Sequence, residues 1–203
     1  MRTLIVFNHP YKGSFCSAIL SRITETLRGK GEAFDVIHLD DDGFNPVMSA
    51  NDLKAFVLAA KEPGKALAML DEKVLSYKAR LEQAEHIVFI FPVWWALMPA
   101  LTKGFIDKVI FPAIAYEYDA SGAMHSRLKR LKKVTVVTTM NTPAEVYKTN
   151  LGNAVERALF SGVFDAVGFT NCRWISLNMV KQVSRKEREE WLNSLCRYFD
   201  EEE

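Results

Sequence analysis

Apolar and polar positions fall into blocks along this chain. Residues 3–8 (TLIVFN), 34–39 (FDVIHL), 86–91 (HIVFIF), 134–139 (VTVVTT) and 170–177 (TNCRWISL) are short runs rich in β-branched and aromatic side chains. Each reads as a strand, and the near-continuous apolar runs 3–8 and 86–91 suit strands covered on both faces, as in a parallel sheet. Between them the apolar period becomes helical. Over residues 15–28, Ile19, Leu20, Ile23 and Leu27 share one helical face, and over 65–83 so do Leu67, Leu70, Val74, Tyr77 and Leu81. Further helices are predicted around 52–60, after Pro99 in a first turn (Leu101, Phe105, Ile106, Val109), over 151–164 and over 184–199. Ser184 and Glu187 have capping-box spacing at the start of the last. Residues 111–126 read as a long aromatic loop.

Strands alternating with helices predict a single α/β domain over residues 1–203, a doubly wound, five-stranded parallel sheet. Such sheets bind ligands beyond the carboxyl ends of their strands, at the switch point. The loops to read are therefore 9–17, 92–99 and 138–147.

Composition narrows the partners. Lys+Arg 26 against Asp+Glu 25 leaves a formal charge of +1, no field for gathering nucleic acid or an anionic membrane. The longest uncharged apolar run, residues 87–101, is broken by Pro92 and Pro99 and falls short of the ~20 residues of a membrane span. The first residues lack the apolar length of a signal peptide. Cys16, Cys172 and Cys196 form no CxxC pair, which fits a reducing compartment and predicts a cytoplasmic protein. His38, His86 and His125 share no metal-ligand spacing, and no metal site is read. The basic residues between Arg127 and Lys133 read as a solvated helix end, with a cofactor-phosphate dock as the bolder alternative, and the acidic residues 200–203 as a frayed tail.

The first loop, His9 to Ser17, leaves a strand and enters a helix, so open backbone amides, the Ser14 and Ser17 hydroxyls and the close approach allowed by Gly13 all suit a phosphate monoester. It matches neither GxGxxG nor the Walker pattern. A plain helix capped by Ser14 and a structural His9 are the alternatives. In the second loop, Pro92-Val93-Trp94-Trp95, two adjacent tryptophans cannot both enter one core, so at least one is expected to line a wall for a flat ring, with prolines fixing amides toward ring heteroatoms. The third, Thr138-Thr139-Met140-Asn141, offers hydroxyls and amides for the ring's polar edge. Phosphate cradle, aromatic wall and polar edge reader together describe a flavin nucleotide.

Residues His9-Pro10 through Ser17, then Phe91-Pro92-Val93-Trp94-Trp95 with Pro99 and Lys103-Gly104, resemble the flavodoxin-like NAD(P)H:quinone oxidoreductases of the DT-diaphorase type. The resemblance extends to about Tyr147 and implies a flavodoxin-like fold, bound FMN or FAD, NAD(P)H as hydride donor, a quinone acceptor and a homodimer. It places His9, Ser14, Phe15, Cys16 and Ser17 at the phosphate, Pro92, Val93, Trp94 and Trp95 along the isoalloxazine, and Thr138, Thr139, Met140 and Asn141 at its rim. It implies a charge-relay role for Tyr147 and puts Tyr116 and Tyr118 in a segment crossing to the partner's pocket. Cys16 stands where the family often has Asn, Met140-Asn141 where it has Gly-Gly, and no histidine follows His125 to complete the relay. FMN is preferred to FAD because the chain is short. The alternatives are a flavin-binding ancillary subunit of a membrane transporter and a flavodoxin-type electron carrier; near-zero charge argues against the carrier.

Overall fold

The computed structural model describes residues 1–199. Five strands, β1 (Thr3–Phe7), β2 (Phe34–His38), β3 (His86–Pro92), β6 (Lys133–Thr139) and β7 (Cys172–Leu177), form one parallel sheet in the order β2-β1-β3-β6-β7. The register runs Thr3 beside Phe34 and His86, and His86 beside Lys133. Chain direction across the sheet reverses between β1 and β3, so the loops after these two strands meet at the carboxyl edge.

The sheet is covered on both faces, which is why its central strands carry apolar side chains at successive positions. Leu4, Val6, Ile87, Phe89, Phe91, Val134 and Val136 face one core, with α4 (Glu72–Leu81), α5 (Ala100–Val109) and a π-helix (Glu156–Asp165). Ile5, Phe7, Val88, Ile90 and Val137 face the other, against α1 (Phe15–Gly29) and α7 (Arg185–Arg197). Two contacts fix α5 beneath the site. A Cβ on Gly104 would lie 2.2 Å from the Pro46 Cβ, so the helix backbone abuts that loop directly. Lys108, buried, reaches the Asp52 carboxylate at 3.5 Å and the Asn45 and Val47 carbonyls at 3.3 Å.

The structure departs from the periodicity in several places. The helix expected over 65–83 is two: α3 (Pro63–Leu67) ends, and α4 starts afresh because the Asp71 carboxylate accepts from the Lys73 amide at 2.7 Å. Before them, α2 (Ala50–Leu58) opens with a complete capping box, Ser49 and Asp52. Pro99 precedes α5 as its cap. The long loop contains a hairpin, β4 (Tyr116–Tyr118) and β5 (Met124–Ser126), whose turn is tied by Asp119 to Ser121, Ala123 and His125. A short α6 (Ala144–Thr149) precedes the π-helix. Ser184 caps α7 by accepting from the Glu187 amide at 3.1 Å.

The basic residues from Arg127 to Lys132 lie in the connection before β6 and Lys133 opens that strand, none on a helix, and all are engaged: Arg127 with Glu117, Arg130 with Gln83, Lys132 with Glu85, Lys129 and Lys133 with backbone carbonyls. Residues 200–203, expected to fray, lie outside the described residues.

Candidate functional site

The three loops singled out by sequence follow β1, β3 and β6, three adjacent strands, and open side by side at the carboxyl edge. Asn8, at the end of β1, fastens this edge. Its amide nitrogen donates to Asp40 at 2.9 Å, and its oxygen accepts from the Thr102 amide and hydroxyl at the start of α5.

Ser14 caps α1, accepting from the Ser17 amide at 3.1 Å, and its hydroxyl lies 2.9 Å from that of Ser17. The Tyr11 carbonyl accepts from the Ser14 amide and the Ser17 hydroxyl, which folds the loop into a cup. The first turn of α1 carries no acidic residue, so its positive end is not neutralised from within the helix. The amides of Phe15 and Cys16 lie at this open end, where a helix cannot bond them itself. The open amides fit a phosphate, and the Ser14 and Ser17 hydroxyls, which here bond each other and the Tyr11 carbonyl, are placed to turn toward one. His9 borders the cup. Its Nδ1 accepts from the Tyr11 amide, so the neutral ring carries its proton on Nε2; burial holds its pKa below the ordinary value, against the pull of Asp40.

Two expected members turn their side chains away from the cup. The Phe15 ring points away, packing 6.2 Å from Trp191, which leaves its amide for the cup. Cys16 is buried, with its thiol 3.2 Å from the Thr139 hydroxyl, and burial pushes it up to about 11.

In the second loop Trp94 and Leu97 exchange backbone hydrogen bonds, and Trp95 and Ala96 between them adopt left-handed conformations (φ 48° and 66°). The turn ejects Trp95, which is 100% exposed; Trp94 is half-exposed, its ring 6.3 Å from His9. One indole is thus wholly outside the core. The expectation of loop amides facing ring heteroatoms is corrected in part: Val93 donates to the Thr139 carbonyl at 2.8 Å and Trp94 to Leu97.

The third loop is corrected further. Thr138 is buried and accepts from the Trp174 indole at 2.9 Å, and the Thr139 hydroxyl pairs with Cys16. Both hydroxyls bond side chains that hold the strand ends together. Met140 is buried, its amide donating to Leu177 and its carbonyl accepting from Val180. Asn141 is exposed, its side-chain oxygen accepting from the Lys181 amide at 3.0 Å. Tyr147 does not present its hydroxyl to the loops' open face: it is buried, donates to the Ala96 carbonyl at 2.7 Å and accepts from the Val155 amide at 2.9 Å. Tyr116 is buried with its ring 5.6 Å from that of Tyr118, which is 41% exposed on the hairpin.

Asn8, Asp40, Thr102, Trp174 and Lys181 escaped the sequence reading. Only Asn8, adjoining His9, carried a signal: a polar residue ending an apolar strand.

A family model described as flavodoxin-like fold matches residues 1–198. The chain belongs to this family. It is 25% identical over 190 residues to an uncharacterized NAD(P)H oxidoreductase of Haemophilus influenzae, covering 93% of this chain and 89% of that one. It is 30% identical over 132 residues to rat NAD(P)H dehydrogenase [quinone] 1, covering 58% of this chain and only 46% of the rat protein, so it spans about half the length of that relative. An FMN-dependent NADH:quinone oxidoreductase of Ruegeria pomeroyi is 27% identical, with 78% and 79% covered. Among solved structures, the NAD(P)H:quinone oxidoreductase of Methanothermobacter marburgensis superposes with a TM-score of 0.81 at 26% identity, covering 97% of this chain and 96% of that one. Within the family the resemblance of the three loops has its fold, with the sheet order expected of a doubly wound domain.

Proposed function

We propose that this chain is an NAD(P)H-dependent flavoprotein that reduces quinones by two electrons, with flavin mononucleotide held across the loops after β1, β3 and β6. The observation that carries this is their juxtaposition: an acid-free helix end, a fully exposed indole and a polar turn on adjacent strand ends. The names of the quinone reductases it resembles support the reaction, and the Ruegeria relative supports FMN.

FMN, when bound, supplies the hydride chemistry between NAD(P)H and acceptor. The chain's residues bind and orient. Ser14 and Ser17, with the amides of Phe15 and Cys16, hold the phosphate; His9, neutral with Nε2–H outward from its Nδ1 bond, donates beside them. Pro92, Val93 and Trp94 would form a wall for the bound ring, and the exposed Trp95 indole would fold over it to exclude water. Asn141 reads the rim, while Thr138, Thr139 and Met140 fix the turn that carries it.

A homodimer completes the reading. Leu53, Phe56 and Val57 stand exposed on α2, and Phe56 and Tyr118 line one open groove. Burying such an apolar patch against a second copy offsets its exposure. No helix among the described residues is long and apolar enough to cross a membrane, and three free cysteines suit the cytoplasm.

The test is spectroscopic. Purified protein, reconstituted with FMN if needed, should show flavin absorbance that NADPH bleaches and menadione restores. No binding of FMN or FAD would refute the reading; bound flavin that NADPH cannot bleach would favour the electron carrier.

A further inference from the structure

We propose that Tyr147 is a positioning residue, whose hydroxyl clamps the strained turn that presents Trp95. The consequence for nicotinamide binding rests on the function proposed above; the clamp itself does not. A fully exposed ring has no packing to orient it, so the direction of Trp95 is set by its backbone. That backbone is strained: two consecutive non-glycine residues, Trp95 and Ala96, sit in left-handed conformations that L side chains disfavour. The reciprocal Trp94–Leu97 bonds close the turn but do not anchor it to the sheet.

Val93 ties the base of the turn to the Thr139 carbonyl, and Tyr147 supplies the anchor on the far side, at Ala96. Its hydroxyl donates to the Ala96 carbonyl at 2.7 Å and accepts from the Val155 amide at 2.9 Å, just before the π-helix. Ala96 and Val93 pack onto the Tyr147, Met140 and Val155 cluster. The tyrosine is itself held: its ring lies 5.9 Å from Trp174, whose indole donates to Thr138 at the end of β6, and its carbonyl accepts from the Asn153 amide. A line of contacts thus runs from β6 to the exposed indole. A hydroxyl has one proton, and this one is committed to a carbonyl. On this proposal the hydroxyl acts mechanically, where the resemblance implied a relay.

Backbone amide relaxation of the flavin-free protein labelled with nitrogen-15 tests this. In the unsubstituted protein the Trp95 and Ala96 amides should relax as part of the rigid domain; amides as mobile as a chain terminus overturn the clamp, whatever any variant does. In Tyr147→Phe these amide resonances should shift and their order parameters fall, and in the FMN-loaded variant the KM for NAD(P)H should rise about tenfold with kcat, its pH profile and the flavin potential unchanged. Unmoved amides with a shifted potential or pH profile would restore the relay. Failure to bind flavin would refute the proposed function yet leave the relaxation result standing.

Discussion

Single side chains here take their tasks from neighbours far away in sequence. Ser14 and Ser17 lie three residues apart and bond each other, so their role is local. Each charged hydrogen bond to a phosphate contributes about 1.5–3 kcal/mol. Ser14→Ala with Ser17→Ala should therefore weaken FMN binding by at least about tenfold, read from quenching of FMN fluorescence by the flavin-free protein; unchanged affinity would move the phosphate elsewhere. His86 is the opposite case. Fully buried at the start of β3, it bonds Thr135 through Nε2, and burial lowers its pKa to about 3. The unfolded chain takes up a proton near 6.5 that the folded state refuses, so unfolded binds more protons than folded between these values. Stability should fall as pH drops from about 6.5 toward 3, by up to about 1.4 kcal/mol per unit from this residue. Denaturant titrations of His86→Gln against the unsubstituted protein should show that part of the acid slope removed; equal slopes would refute it.

At the scale of elements, the central strands were legible because burial on both faces leaves a short apolar run rich in β-branched and aromatic residues, and the half-buried edge strands by the same residue types. The helices were less so, since periodicity is blind to competing caps. The face from Leu67 to Leu81 keeps helical phase, yet Asp71 offers a side-chain acceptor that starts a new helix. The hairpin within 111–126 and the π-helix depend on bonds across the fold, such as Arg127 N to Ala115 O and Val155 N to the Tyr147 hydroxyl. Helix placement also has a steric test. Because a Cβ at Gly104 would stand 2.2 Å from Pro46, Gly104→Ala should destabilise the protein by about 1–3 kcal/mol, lowering the melting temperature; an unchanged melt would mean that the 44–49 loop yields freely.

For the whole molecule, the exposed apolar side of α2 is the feature a monomer explains least. Phe56→Asp with Val57→Asp should leave far-UV circular dichroism intact and convert a dimer to a monomer in sedimentation; a dimer that persists would place the interface elsewhere. The class of fold, the five strands of the main sheet and the three loops of the candidate site could be read along the chain, because burial pattern and the switch-point rule are properties of local order. Only the tertiary structure decided which polar atoms those loops have left to offer. Thr138 is claimed by Trp174, Thr139 by Cys16, and the Tyr147 hydroxyl by Ala96 and Val155. A buried hydroxyl must find a partner, and which partner arrives depends on packing that brings residue 16 beside residue 139.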